Sequence, residues 1–162
     1  MSKTEQLQIR VTASEKAAIK RMARTAGKGL SAYVLARALP QPRLRFQELV
    51  DSLADADERR FALAELNDLL SGLSRAELSD VVGDAPNMDL SPYWRNYVAA
   101  MVEQAAHQKG VSPPRWLSGI EPLTEPHFVA HLASLRLHLL RAAPVPFRRR
   151  NIFVDSSVGD RV

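Results

Sequence analysis

The most constraining feature of this sequence is a short amphipathic strand near its amino end, for which the chain offers no strand partner. Residues 6–11 alternate strictly, with Leu7, Ile9 and Val11 on one side and polar residues on the other, which is the period of a half-buried strand. A lone strand leaves its backbone N–H and C=O groups without partners, so it must pair with the same strand of a second copy. The sequence therefore predicts a homodimer.

Two short helices are predicted after this strand. Thr12 and Glu15 have the spacing of a capping box, in which a hydroxyl and a carboxylate satisfy the free N–H groups at a helix start. Gly27 supplies the permissive backbone that ends the first helix. Ser31 is predicted to cap the second helix, which ends before Pro40 because proline cannot continue a helix.

The exposed face of the predicted ribbon carries residues that suit the reading of DNA bases. Gln6, Gln8 and Arg10 are spaced two apart, and a two-stranded ribbon fits the major groove of B-DNA. Glutamine can pair with the edge of adenine, and arginine with the edge of guanine. The alternative is an exposed strand edge with arbitrary polar residues. The residue types favour base recognition in double-stranded operator DNA.

Charge is distributed unevenly, and the basic excess lies at the front of the chain. Residues 1–45 hold ten Lys or Arg against two Asp or Glu, residues 46–90 hold three against eleven, and residues 91–162 hold nine against five. A basic segment before an acidic one is typical of a nucleic-acid contact joined to a second functional part. A plain solvated helix face is the alternative for Lys16, Lys20, Arg21 and Arg24.

These features together resemble a known family of DNA-binding proteins. The segment QLQIRV at residues 6–11, the capped helix, Gly27 and the Leu30-Ser31 pair are similar to the Arc/MetJ/CopG ribbon-helix-helix repressors. The resemblance implies a dimer that reads bases with the strand. It departs from the family at Tyr33 and Arg37, which stand where Arc carries part of a buried charged cluster.

The same resemblance implies a phosphate contact at the amino end of the second helix. Free backbone N–H groups at a helix start bind phosphate readily, and here Ser31, Ala32 and Tyr33 would supply them. Lys28 stands beside them in the sequence. These four residues are therefore expected to hold the DNA backbone.

The remaining residues divide into two further predicted segments. Residues 44–83 have helical periodicity and are predicted to form an acidic connector, whereas residues 84–162 are predicted to form a helical partner-binding domain with a basic tail. With a ribbon-helix-helix module at residues 1–43, the predicted fold is mainly α.

The carboxyl-terminal part resembles bacterial antitoxins encoded beside nucleotidyltransferase-like toxins. The resemblance covers residues 93–162, through a tryptophan loop and an Arg-rich tail. It implies an antitoxin that represses its own operon and neutralises a toxin partner. Arginine and aromatic side chains are frequent interface anchors, and those predicted to bind the partner are Phe147, Arg148, Arg149, Arg150, Ile152 and Phe153. A solvated tail is the alternative for the three arginines.

Three histidines support a rival interpretation, a repressor with a metal- or ligand-sensing domain. His127, His131 and His138 would share one face of a helix that begins at Pro126, a geometry that can bind zinc or nickel. We expect packing histidines instead, because His138 stands among leucines. The chain has no cysteine, no phosphate-binding glycine loop and no Ser-His-Asp spacing. We therefore expect no metal, no cofactor and no enzymatic activity.

No apolar run is long enough to span a membrane, and the amino end is polar. We expect a cytoplasmic protein without a membrane contact, bound to its operator in the nucleoid.

Overall fold

The computed structural model describes residues 8–38, 41–129 and 133–155, with the side chains of Ala36 and Ala133 excepted. The chain divides into two compact units, Met1–Gln41 and Pro42–Val162, here called unit 1 and unit 2. The described residues form eight α-helices, one 3-10 helix and a single two-stranded sheet. The fold is mainly α, as predicted.

Unit 1 contains two helices joined by a glycine turn. Helix α1 (Ala13–Thr25) begins at the predicted capping box, where the Glu15 N–H donates to the Thr12 hydroxyl at 3.3 Å and the Glu15 carboxylate accepts from the Thr12 N–H at 2.8 Å. Gly27 has a φ of 64°, a left-handed conformation that glycine adopts without strain. Helix α2 (Leu30–Ala38) follows. The capping box and the glycine turn are confirmed.

The beginning of α2 differs from the prediction. The Tyr33 N–H donates to the Gly29 carbonyl at 2.9 Å, so the helix begins before Ser31 and Gly29 occupies the cap position. Glycine is tolerated at that position almost as well as serine. Ser31 is therefore a residue of the first helical turn, and the prediction that it caps the helix is wrong.

The predicted strand lies partly outside the described residues. Gln6 and Leu7 are not among them, and neither are Leu39 and Pro40. Residues 8–12 precede α1 with no helix or strand assigned. Because the predicted ladder needs the strand of a second chain, the pairing stays a prediction.

Unit 1 buries little apolar surface on its own. Ala23 is its one buried side chain within residues 8–38. By contrast, the large apolar side chains that are 40–60% exposed are Ile9, Val11, Met22 and Leu30. The two helices therefore leave an apolar side that the other described residues of unit 1 do not cover.

The described part of unit 2 contains six α-helices, one 3-10 helix and a small sheet. The helices are α3 (Gln41–Ser52), α4 (Arg59–Gly72), α5 (Arg75–Val82), α6 (Pro92–Lys109), the 3-10 helix (Arg115–Gly119), α7 (Ala133–Ala142) and α8 (Val145–Arg148). Helix α5 begins at a second capping box, formed by Ser74 and Glu77. No helix among the described residues is long and apolar enough to cross a membrane.

One hydrophobic core joins the two segments that the sequence divides at residue 83. Its largest fully buried apolar side chains are Phe46, Val50, Leu53, Leu66 and Leu78 before that point, and Val98, Val102, Phe147, Ile152 and Val154 after it. Helix α6 supplies a long stretch of small and β-branched residues to this core. Residues 44–83 and 84–162 thus pack together, while their division into connector and partner-binding domain stays a prediction.

The segment after Pro126 is a strand, not the start of the last long helix. Strand β1 (His127–Phe128) pairs in parallel with strand β2 (Ile152–Phe153), and the His127 N–H donates to the Asn151 carbonyl at 2.7 Å. The two phenylalanine rings of the pair stack at 4.8 Å, and α7 begins only afterwards. The local periodicity of this segment suggests a helix. It does not reveal the strand, because strand formation depends on a partner far away in the sequence.

Candidate nucleic-acid interface

The described part of the predicted reading strand is exposed. Gln8 and Arg10 are both exposed to solvent. Gln6, the third predicted base-reading residue, lies outside the described residues. Two of the three predicted residues are therefore at the surface, in a segment to which no strand is assigned.

Helix α1 presents a row of cations that have no ion-pair partner among the described residues of unit 1. Lys16, Lys20 and Arg24 are spaced four apart, so they lie along one side of the helix. They are exposed, as is Arg21. Within residues 8–38 none of the four forms an ion pair. The side of α1 that carries them is a positive surface suited to a phosphate backbone.

Two of the cations counted in the basic segment at residues 1–45 lie in unit 2. Arg43 pairs with Asp84, and Arg45 pairs with Glu48 and Glu65, all within unit 2. Asp84 and Glu65 connect α3 to other parts of unit 2, whereas Glu48 lies in α3 itself. The positive surface of unit 1 therefore comes from residues before Gln41.

The amino end of α2 offers anion-binding groups close to Lys28, which is exposed. Because Gly29 holds the cap position, the N–H groups that precede the first helical hydrogen bond are those of Leu30, Ser31 and Ala32. Such a helix end favours negative charge. The Tyr33 N–H donates to the Gly29 carbonyl and is not one of these free groups, so the prediction that it supplies one is wrong, whereas the Leu30 N–H is one of them.

A cavity of about 210 Å³ opens beside this helix end. Its lining consists of Ala26, Lys28, Tyr33, Arg37 and Gln41. The Arg37 guanidinium lies over the Tyr33 ring, 5.6 Å from its centroid, a cation–π contact that fixes the arginine at the cavity wall. With two cations and no carboxylate in the lining, the cavity extends the positive surface of unit 1.

Most of the residues predicted to bind a protein partner are interior. Phe147 and Ile152 are 0% exposed, Arg150 is 6% exposed and Phe153 is 8% exposed. The Phe147 ring packs on the Tyr97 ring at 5.2 Å, because the tail returns to α6 and fills its groove. These four side chains are parts of unit 2 itself, which corrects their prediction as surface anchors. Arg148 and Arg149 are exposed.

Arg150 is the centre of a buried polar network. Its guanidinium donates to Asn96 Oδ1 at 3.3 Å, to Glu103 Oε2 at 3.5 Å, and to the carbonyls of Leu117 and Ile120 at 3.3 and 3.4 Å. Burial lowers the pKa of Arg150, while the Glu103 carboxylate opposes that shift. The network connects α6, the 3-10 helix and the tail. Its first role is to hold these three parts of unit 2 together.

The three histidines do not share a helix face. His127 lies in β1, with its ring 4.2 Å from the Tyr93 ring, and His138 lies in α7, with its Nε2 atom 3.7 Å from Asp155 Oδ2. His131 is outside the described residues. Among the residues that are described, no group of three His, Asp or Glu side chains could hold a metal ion. The geometry assumed for the metal-sensing alternative is wrong, because its first histidine is in a strand.

Residues 1–75 match the family model described as NikA-like, Mobilization protein NikA. The matched span contains all of unit 1 and extends to the first residue of α5. No curated protein and no solved structure matches this chain. The family match indicates a DNA-binding protein of ribbon-helix-helix type at the amino terminus.

Proposed function

We propose that the protein is a homodimer that binds specific DNA sites through unit 1. The observation that carries this proposal is that unit 1 combines two surfaces. One is an apolar side that the described residues of unit 1 leave exposed, and the other is a row of cations with no acidic partner among residues 8–38. The first surface requires a second protein copy, and the second requires a polyanion.

The proposed dimer would bury the apolar side chains that unit 1 leaves exposed. Ile9 is 60% exposed and Val11 is 44% exposed, although their alternation with polar residues is typical of a strand with one buried face. A second copy of the strand would satisfy the backbone N–H and C=O groups of residues 8–11. It would also cover Met22 and the other exposed apolar side chains of the helices. Dimerisation thereby completes a core that forty residues cannot build alone.

We assign base contacts and phosphate contacts to different residues according to their chemistry. Arg10 and Gln8 on the ribbon would contact base edges, whereas Lys28 and the free N–H groups of α2 would contact the phosphate backbone. Base contacts supply sequence preference, and phosphate contacts supply affinity for any sequence. The two groups of residues therefore differ in what their removal changes.

We predict that Arg10→Ala weakens binding to a selected DNA site by about 1–3 kcal/mol and relaxes the preference at one base pair of each half-site. Lys28→Ala should weaken binding to selected and random duplexes alike and reduce the salt dependence. Sites selected from a random duplex pool, measured by fluorescence anisotropy at several salt concentrations, would test both.

Arg115→Ala is the matched control, because Arg115 is an exposed cation of unit 2. It should leave both kinds of binding unchanged. Equal losses on selected and random DNA for Arg10→Ala and Lys28→Ala would contradict the assigned roles.

We further propose that the protein represses its own operon and acts as an antitoxin, neutralising a toxin, of nucleotidyltransferase type, through unit 2. The support is the resemblance of the carboxyl-terminal part together with the exposed cations Arg148 and Arg149, of which Arg149 also lies 3.5 Å from Glu103; exposed arginines can bind an acidic cleft. The family match favours a second candidate, a DNA-binding role in mobilization, because it covers the whole of the proposed DNA-binding unit.

Two measurements separate these candidates. An antitoxin should restore growth when it is co-expressed with the neighbouring gene, and the combined charge reversal Arg148→Glu and Arg149→Glu should abolish that rescue, whereas Arg115→Glu should not. A selected DNA site in the protein's own promoter would fit repression. A neighbour that is harmless and a site away from the promoter would contradict the antitoxin proposal and leave the mobilization role.

A further inference from the structure

Helix α1 carries three exposed cations of the same sign at helical spacing. Lys16, Lys20 and Arg24 are four residues apart, and we name them the α1 row. Like charges at this spacing are neighbours on a helix and destabilise it. The α1 row therefore acts against the helix that contains it, and a polyanion bound along the row would remove this repulsion.

The carboxylate closest in sequence to the α1 row is engaged at the helix start. Glu15 is the one acidic residue between positions 8 and 38. Its carboxylate accepts hydrogen bonds from the Thr12 N–H and the Thr12 hydroxyl, both at 2.8 Å. Because the α1 row has no ion-pair partner among the described residues of unit 1, its charge is available to a partner molecule.

The α1 row ends next to the groups that the proposed function assigns to the DNA backbone. The Lys28 N–H donates to the Ala23 carbonyl at 3.0 Å, which holds Lys28 against the last turn of α1. Arg24 directly follows Ala23 in that turn, and the amino end of α2 begins two residues after Lys28. From this end the row runs back along α1 to Lys16.

The length of the α1 row suits the phosphate spacing of a DNA strand. Lys16 and Arg24 are separated by two helical turns of α1, a distance of about 12 Å at about 1.5 Å per residue. One strand of B-DNA presents a phosphate about every 3.4 Å along its axis, so this length spans about four phosphates. Three cations can therefore neutralise most of the charge on such a stretch of backbone.

We propose that the α1 row binds the phosphate backbone on both flanks of the DNA site that the ribbon reads. The inference rests on the proposed function, which places a dimer on DNA. The paired strands of that dimer lie at its two-fold axis, so the two rows lie on opposite sides of the axis. A duplex that is read at the axis extends past it in both directions and meets one row on each side. The flanking contacts add affinity without sequence preference.

The residues beside the α1 row distinguish DNA from an acidic protein as its partner. Ala13 and Ala17 are three or four residues from members of the row, so they share its side of the helix, and both are exposed. A protein interface has an apolar core surrounded by polar groups, and two alanines supply little apolar area. A phosphate backbone needs only the cations.

The test compares two duplexes that share one selected DNA site, using the full-length protein and fluorescence anisotropy. The short duplex ends at the outermost base pairs that show sequence preference, and the long duplex adds about one helical turn of random sequence on each side. Wild-type protein should bind the long duplex at least about tenfold more tightly at about 0.1 M salt. Its salt slope on the long duplex should be steeper by up to about five, because each of the six added phosphate contacts of a dimer contributes about 0.9.

The triple variant Lys16→Gln, Lys20→Gln and Arg24→Gln should lose the gain on the long duplex. It should bind the short duplex with the base preference of the wild type. Glutamine has a helix propensity close to that of lysine and arginine, so circular dichroism should show unchanged helix content. If the triple variant is poorly folded, Lys20→Gln alone should remove about a third of the difference in salt slope, because it removes one of three cations.

A second triple variant provides the matched control, because it removes the same charge from unit 2. Arg60, Arg95 and Arg115 are exposed there, and their joint replacement by glutamine lowers the net charge by the same amount. This control should keep the full gain on the long duplex, since the proposal assigns the flanking contacts to α1.

Three outcomes would overturn the proposal. A wild-type protein that binds both duplexes equally would show that the flanks are not contacted, while specific binding of the short duplex would leave the proposed function intact. An α1 triple variant that keeps the gain would assign the flanks to other residues. Equal losses on the two duplexes would place the α1 row within the site that is read. Failure of the wild type to bind any selected duplex would refute the proposed function together with this inference.

Discussion

Replacing Arg150 by methionine is expected to destabilise unit 2 by at most about 3–5 kcal/mol, because the buried Glu103 carboxylate loses its buried partner and keeps only the exposed Arg149 and His107 beside it. Glu103 is only 8% exposed, and Asn96 would lose its guanidinium partner as well. The measurement is denaturant unfolding of the full chain followed by tryptophan fluorescence. Both tryptophans, Trp94 and Trp116, lie in unit 2, so the signal reports on that unit.

Arg149→Met is the matched control for this prediction. Arg149 also lies 3.5 Å from Glu103, but its side chain is 67% exposed, so its loss should cost only about 0–1 kcal/mol. The double variant Arg150→Met and Glu103→Leu should recover part of the stability, since no buried charge is then left alone. Equal costs for Arg149→Met and Arg150→Met would show that the network does not stabilise unit 2.

Phe147→Ala is expected to destabilise unit 2 by about 3–5 kcal/mol, the range for truncation of a buried phenylalanine. The ring is 0% exposed and contacts Tyr97 edge to face, so its removal leaves a cavity between α8 and α6. The same fluorescence measurement would record the loss as a lower denaturant midpoint with an unchanged slope.

Phe61→Ala provides the comparison, because Phe61 is 62% exposed and its truncation should change the free energy of unfolding by less than about 1 kcal/mol. If Phe147→Ala were as mild as Phe61→Ala, the ring would not be a core residue. It would then return as a candidate anchor for a protein partner.

The short-range features of the chain could be predicted from the sequence. The Thr12 and Glu15 capping box and the left-handed Gly27 form as expected, and Ser74 and Glu77 form a second box with the same spacing. Each depends on residues that are at most four apart, so the interaction exists as soon as the helix does. The row of cations on α1 is predictable for the same reason, since it depends on residue type and spacing, whereas the reading strand stays a prediction.

Contacts between residues that are distant in the sequence could not be predicted. His127 and Phe128 have a helical pattern, but they form a strand because the backbone of Ile152–Phe153 is available to pair with them. Sequence periodicity carries no information about which distant segment will lie alongside, and strand formation requires that segment.

The three adjacent arginines of the tail also show that local sequence does not reveal long-range contacts. Arg148 and Arg149 are exposed whereas Arg150 is buried, and nothing in three identical residues distinguishes them. A signal did exist elsewhere, because Asn96 and Glu103 are polar residues seven apart in an apolar helix, a spacing that places both on one side. The sequence by itself determined that this buried pair needs a polar partner. Only the tertiary structure decided that Arg150 is that partner, because the choice depends on which tail residue the chain brings against α6 when it folds back.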